Sequence, residues 1–315
     1  MIKNKSTSID ITTIKLFIKI TVFDIIPIFF LTLLPFNQAK AQSSGDIQIE
    51  NVTFKSEEII LDGTVYRPKN SQVGVILVHG SGQETRMNDF AKLLAKNGIT
   101  VSTYDKRGVG KSGGIYNGPE VGTNNIDSTN LHLLAKDASN AVNTLHQQNQ
   151  NIPIGLVGFS QAGWIIPIAA SKNTLVKFMV LFSCPTITTL EQLRFQFYTN
   201  GNSDFWKNNT EENAREHLKN DPDRYQFTDT DPKTSLSAVS IPGLWLFGEK
   251  DIQIPVKLCI EQLNTFKVQG KPFEYTLFST LGHNTSSTET TEPVNISIQW
   301  IKQKRINLRK LNIKK

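Results

Sequence analysis

Two cysteines, Cys184 and Cys259, are all that this 315-residue chain carries, so a disulfide-stapled scaffold is excluded. Cys184 follows an apolar strand-like run and Cys259 falls in a predicted helix; their spacing leaves one bridge or two buried free thiols open. Neither cysteine has metal-ligand spacing, and the five histidines form no cluster, so no metal site and no cofactor are expected. No internal repeat or low-complexity tract is visible. Basic residues crowd the C-terminus, seven from Lys302 to Lys315, but no aromatics interleave them, so a nucleic-acid partner is not expected. That cluster reads as a solvated helix end and tail whose charge suits the helix dipole.

The N-terminus reads as an export leader over residues 1–41. Lys3, Lys5, Lys15 and Lys19 precede the apolar run Ile25–Leu34, and Ala39-Lys40-Ala41 supplies a small-x-small site, with cleavage expected before Gln42. The apolar run is short and holds Pro27, so it falls below the ~20 residues a stable span requires. No membrane span is expected once it is removed, although retention as an anchor stays open. The leader predicts a periplasmic or secreted destination. It also holds five lysines and two acids, so half of the formal +6 belongs to it and +3 remains for residues 42–315. That remainder suits one large domain.

Residues 47–67 predict an antiparallel hairpin, with its turn at Asp62-Gly63. Apolar runs then alternate with helical patterns: 73–78, 99–104, 154–159, 176–182, 244–247 and 273–278. Such alternation predicts a mostly parallel α/β sheet covered on both faces. Between about 185 and 240 the rhythm stops, and helix-favouring sequence appears that contains Phe195, Phe197, Tyr198, Phe205 and Trp206.

Chemistry-bearing residues stand where strands end. In residues 155–163, GLVGFSQAG, Ser160 lies between small residues at the junction of an apolar run and a helical stretch. A strand that turns sharply into a helix needs small residues around the serine, and it leaves an exposed hydroxyl beside free helix N–H groups. Those groups can hold the oxyanion of an acyl-transfer intermediate. Asp251 closes the run 242–247 through Gly248-Glu249-Lys250, and His283 follows the run 275–278. Glu249 is the rival acid, and Asp251 has the alternative of being only a helix cap. His132, His146 and His217 fall in polar helical segments and read as solvated.

Residues 75–82, VILVHGSG, and 104–112, YDKRGVGKS, together with the serine motif, resemble α/β-hydrolases over about residues 58–301. The likeness is greatest to secreted bacterial serine hydrolases of the esterase and prolyl-oligopeptidase-like group. It implies an α/β-hydrolase fold with a small helical cap. It implies Ser160 as nucleophile, His283 as general base and then acid, and Asp251 as the residue that orients the imidazole. The N–H groups of Ser81 and Gln161 would form the oxyanion hole. Ala162 stands where many members have glycine. By the same resemblance His79 is structural and Arg107 is a strut behind the active site.

Gly108, Gly110, Gly113 and Asp127 imitate a dinucleotide fingerprint. The glycine- and proline-bearing stretch 114–119 predicts no helix there; Gly110-Lys111-Ser112 likewise ends like a phosphate-binding loop, but Asp105 stands at the position of its first glycine and would repel a phosphate. The expected activity is therefore carboxylesterase action on a small or medium acyl ester, with a serine peptidase as the alternative. Remoter readings are a dinucleotide-dependent dehydrogenase and a non-catalytic binding protein. The expected partner is an ester or short peptide substrate; oligomeric state is left open.

Overall fold

A computed structural model describes residues 47–118, 129–149, 152–221, 228–286 and 291–313. The expected leader and Asp127 lie outside these residues. Within them the strands are β1 (Ile47–Ser56), β2 (Ile59–Pro68), β3 (Gly74–Val78), β4 (Thr100–Tyr104), β5 (Ile154–Phe159), β6 (Val176–Phe182), β7 (Gly243–Gly248) and β8 (Phe273–Phe278). They pair in the order β1-β2-β4-β3-β5-β6-β7-β8. The β1–β2 and β2–β4 pairs are antiparallel and the rest are parallel. Every residue of β3, β4 and β7 is buried, as expected of strands with helices on both faces.

Helices α1 (Asn88–Lys96) and α9 (Glu292–Ile313) cover one face, and α2 (Thr129–Gln148), α3 (Ala162–Lys172) and α8 (Val256–Val268) cover the other. The packing follows helical periodicity. Leu134, Ala138, Val142 and Leu145 of α2 enter one core with Ile76, Leu156 and Leu181 from the sheet, while Ala91 and Leu94 of α1 join Val75, Val157 and Val180 in the other. Between β6 and β7 lie α4 (Thr189–Thr199), α5 (Phe205–Asn208), α6 (Glu211–Asn220) and α7 (Pro232–Ala238). No helix among the described residues is long and apolar enough to cross a membrane. Cys184 and Cys259 are both buried and free, which settles the choice their spacing left open.

The hairpin turn is not at Asp62-Gly63. It sits at Glu57-Glu58, with Glu57 in a left-handed conformation at φ 56°, and β2 runs straight through Asp62 and Gly63. Gly63 serves a different purpose, since a Cβ there would lie 2.7 Å from the Thr103 carbonyl oxygen of β4. The glycine lets two strands approach, and the sequence alone could not distinguish that from a turn.

His79 directly follows β3 and is buried, its ring edge-on to Tyr104 with centroids 4.9 Å apart. Burial, and then the Lys106 cation, hold its pKa down to about 3. An imidazole kept neutral in the fold but free to protonate near 6.5 when unfolded gives stability that is complete above 6.5 and lost as pH falls toward 3.

Two outcomes are expected from urea denaturation. Gly63→Val should destabilise the fold by about 1–3 kcal/mol through overpacking against β4. Lowering the pH from 7 to 5 should cost about 2 kcal/mol from His79 alone, and a His79→Gln variant should lose that part of the pH slope.

Candidate active site

The loops that leave the C-terminal ends of β3, β5, β7 and β8 supply the site, next to the point where strand order reverses between β4, β3 and β5. Ser160 follows β5 directly, with φ 47°, a left-handed conformation uncommon for a residue with a side chain. The turn is tight. A Cβ on Gly158 would overlap the Ala162 Cβ, and one on Gly163 would lie 2.5 Å from the Pro185 carbonyl oxygen. The Ser160 N–H donates to Phe182 O at 3.0 Å, and Gly163 N–H returns to Ser160 O at 2.9 Å, so the turn is held by both the neighbouring strand and the new helix.

Asp251 is fully buried three residues after β7. Its Oδ1 accepts the N–H groups of Gln253 at 2.7 Å and Ile254 at 3.0 Å, while Oδ2 lies 2.8 Å from His283 Nδ1. Capping and orienting are thus done by different oxygens of one carboxylate. His283 Nε2 lies 2.9 Å from Ser160 Oγ. Glu249, the rival acid, is exposed. The remaining histidines stand apart: His132 is exposed on α2, His146 is half-buried near that helix's end, and His217 stacks on Tyr198 with ring centroids 3.9 Å apart.

The histidine loop is knitted to its neighbours through groups that sequence inspection missed. Lys250 N–H donates to Leu281 O at 2.9 Å, and a Cβ at Gly248 would strike the backbone of Leu281 and Gly282. Buried Thr285 places its Oγ1 3.2 Å from Leu246 O and 2.9 Å from Ser183 Oγ. Nothing in the spacing of a lone threonine marks it.

The loop after β3 runs against the serine turn: a Cβ at Gly80 would lie 3.8 Å from Ser160 Cβ. Ser81 is exposed and Gln161 is buried, and neither backbone N–H has a hydrogen-bond partner among the described residues. Lys106 is buried, and its Nζ donates to Gly80 O at 2.6 Å and Gly82 O at 2.9 Å. Arg107 was the expected strut behind the site, but it braces α2 instead. Its guanidinium binds Asp137 at 2.6 and 3.1 Å, where Ser56 of β1 also donates. The misassignment is by one residue, because the turn after β4 aims successive side chains in different directions.

The glycine-rich stretch that follows wraps a carboxylate of its own. Asp105 Oδ2 accepts the Lys111 N–H at 3.0 Å, and Gly110, at φ 58°, leaves only 2.5 Å between a would-be Cβ and that oxygen. Burial would raise the Asp105 pKa, but Arg86 and the two backbone N–H groups overcome it and hold the group at about 2. The anion-binding turn is filled from within, and no helix starts in residues 114–118.

The segment between β6 and β7 leans on the acid. Trp206 Nε1 donates to Asp251 O at 2.8 Å, Thr199 Oγ1 to Ile252 O at 2.6 Å, and Gln192 Nε2 to Gln253 O at 2.9 Å. Phe195 and Phe205 pack with Ala214 and Leu218 in a separate small core that includes Ile252. Of the aromatics described in this segment only Phe197 is largely exposed, so most of them pack within the segment, and Trp206 fastens it to the Asp251 turn.

No curated protein matches the chain. Among solved structures it is similar to an esterase of Pyrococcus furiosus, at 18% identity and TM-score 0.57 over 84% of this chain and 91% of that one. It is also similar to a dienelactone hydrolase of Anabaena variabilis, at 15% identity and TM-score 0.54 over 83% of this chain and 98% of that one. An acylaminoacyl peptidase of Pyrococcus horikoshii matches at 17% identity and TM-score 0.56 over 82% of this chain, which spans only 40% of that protein's length. At such identities the likeness is one of fold. The family model described as "Serine aminopeptidase, S33" matches residues 69–241, more than half of the chain, and takes in the serine turn. This chain therefore belongs to that family of α/β-hydrolases.

Proposed function

We propose that the chain is a serine carboxylesterase that cleaves small or medium acyl esters through an acyl-enzyme. The observation that carries this is the unbroken hydrogen-bond line from Asp251 Oδ2 to His283 Nδ1 at 2.8 Å and from His283 Nε2 to Ser160 Oγ at 2.9 Å. Ser160 Oγ attacks the ester carbonyl while His283 Nε2 takes its proton; Asp251 holds the imidazole in the required tautomer and stabilises the imidazolium. The carbonyl oxygen, now anionic, rests on the N–H groups of Ser81 and Gln161. His283 returns the proton to the departing alkoxide, and a water repeats the sequence to release the acid.

The family description favours a second reading, a peptidase that removes N-terminal residues. Such an enzyme needs a carboxylate to bind the substrate's α-ammonium group. The buried carboxylate of Asp251 is already committed to His283, and Glu84 accepts the Gly80 N–H at 3.1 Å, so neither of these two serves that purpose. The chain is further proposed to be exported, with residues 1–41 removed and the segment around 185–240 serving as a cap.

With p-nitrophenyl acyl esters and aminoacyl p-nitroanilides offered side by side, ester turnover is expected and anilide turnover is not; the reverse pattern would assign the peptidase. Ser160→Ala should lower kcat by about 10⁶ and Asp251→Asn by about 10⁴, with the fold intact by circular dichroism. Expressed from its full reading frame in a Gram-negative host, the protein is expected in the periplasm or medium with Gln42 as its first residue by N-terminal sequencing. A mature chain that retains residues 1–41 would refute export by cleavage.

A further inference from the structure

Lys106 has no part in the steps above, yet it is the buried cation of the site, about 1% exposed, at the first turn beyond β4. A buried lysine is costly to keep charged unless its protons are taken by well-placed acceptors. Here two of those acceptors are Gly80 O and Gly82 O, the carbonyls on either side of Ser81. The same loop is gripped from elsewhere: the Lys106 N–H donates to Glu84 O at 3.1 Å, and Glu84 Oε2 accepts the Gly80 N–H at 3.1 Å.

One detail makes this more than bracing. The carbonyl of Gly80 and the N–H of Ser81 belong to one planar peptide unit, so a charge-assisted bond to one end acts on the other. An ammonium 2.6 Å from the oxygen draws electron density along the amide, leaving the N–H more positive and a better donor. It also fixes the plane of that unit and therefore the direction of the N–H.

We infer that Lys106 is the positioning residue of the oxyanion hole, orienting and polarising the Ser81 amide toward the tetrahedral intermediate through its bond to Gly80 O. The inference rests on the assignment of Ser160 as nucleophile and of the Ser81 N–H as an oxyanion donor. Because the effect is felt only when the carbonyl oxygen becomes anionic, it belongs in kcat and not in ground-state binding.

The test compares wild type with Lys106→Met, which keeps the stem and removes the charge, and with Lys106→Gln, which keeps an N–H donor without the charge. With a p-nitrophenyl ester, Lys106→Met is expected to lower kcat by about 10- to 100-fold while KM stays within about threefold, somewhat less than the loss of a whole oxyanion donor. Lys106→Gln should fall between it and wild type. Affinity for a trifluoromethyl ketone, which forms an oxyanion on the serine, should fall by the same factor as kcat, while affinity for the corresponding non-electrophilic methyl ether should not move. A purely structural lysine would weaken both ligands together. A kcat within twofold of wild type in a folded Lys106→Met variant, or equal loss of both ligands, overturns the inference.

Should neither variant fold, a crystal structure of wild type with the ketone decides. The inference requires Lys106 Nζ on Gly80 O and the Ser81 N–H on the hemiketal oxygen, and absence of either contact overturns it. Failure of the underlying site assignment has its own signature, namely that wild type is not labelled at Ser160 by a fluorophosphonate.

Discussion

The left-handed backbone at Ser160 is the constraint from which the rest of the site follows. A residue with a side chain in that conformation costs about 1–2 kcal/mol, and it persists only where its surroundings over-determine it. Here the strand before it, the helix after it and the carbonyl of Phe182 all hold the turn, and the contact between Gly158 and Ala162 allows no larger residue at either position. The hydroxyl is thereby brought within 2.9 Å of His283 Nε2, and the Gln161 N–H just before α3 has no hydrogen-bond partner among the described residues.

Everything opposite Ser160 is arranged by loops of the neighbouring parallel strands. Because β5, β6, β7 and β8 run in the same direction, their C-terminal ends lie along one edge, and residues 160, 251 and 283 meet although 123 positions separate the first from the last. Loop-to-loop backbone bonds, such as Lys250 to Leu281, fix the imidazole more firmly than the Asp251–His283 contact could alone. The segment between β6 and β7 adds a third constraint, since Trp206, Thr199 and Gln192 grip the carbonyls of Asp251, Ile252 and Gln253. That segment is in large part a clamp on the Asp251 turn.

Much of this was legible in the chain. The alternation of apolar runs and helical patterns corresponds to strands whose bounds agree with the observed ones to within a residue or so, because buried parallel strands tolerate few polar residues. Small residues around Ser160 were readable for the same steric reason that the turn needs them. The Asp62-Gly63 pair misled, because a glycine that admits a neighbouring strand and a glycine that turns the chain are identical as letters. Arg107 was read as the strut behind the site, the place Lys106 holds, since only the φ and ψ angles after Tyr104 decide which of two adjacent cations faces the loop after β3. Thr285, Trp206 and Gln192 act through hydrogen bonds to backbone carbonyls, and such contacts leave no periodicity or spacing to detect.

What the sequence determined by itself was the type of fold and the small-residue turn at Ser160, because hydrophobic period and steric need at a tight turn are local properties written in consecutive residues. What only the tertiary structure decided was how Ser160, Asp251 and His283 are held: the clamp of the segment between β6 and β7 on the Asp251 turn, the seating of the His283 loop, and the Lys106 cation on the carbonyl that precedes Ser81. Each of these is a contact between residues far apart in the chain, and its energy depends on distance and direction in space, which no one-dimensional pattern contains.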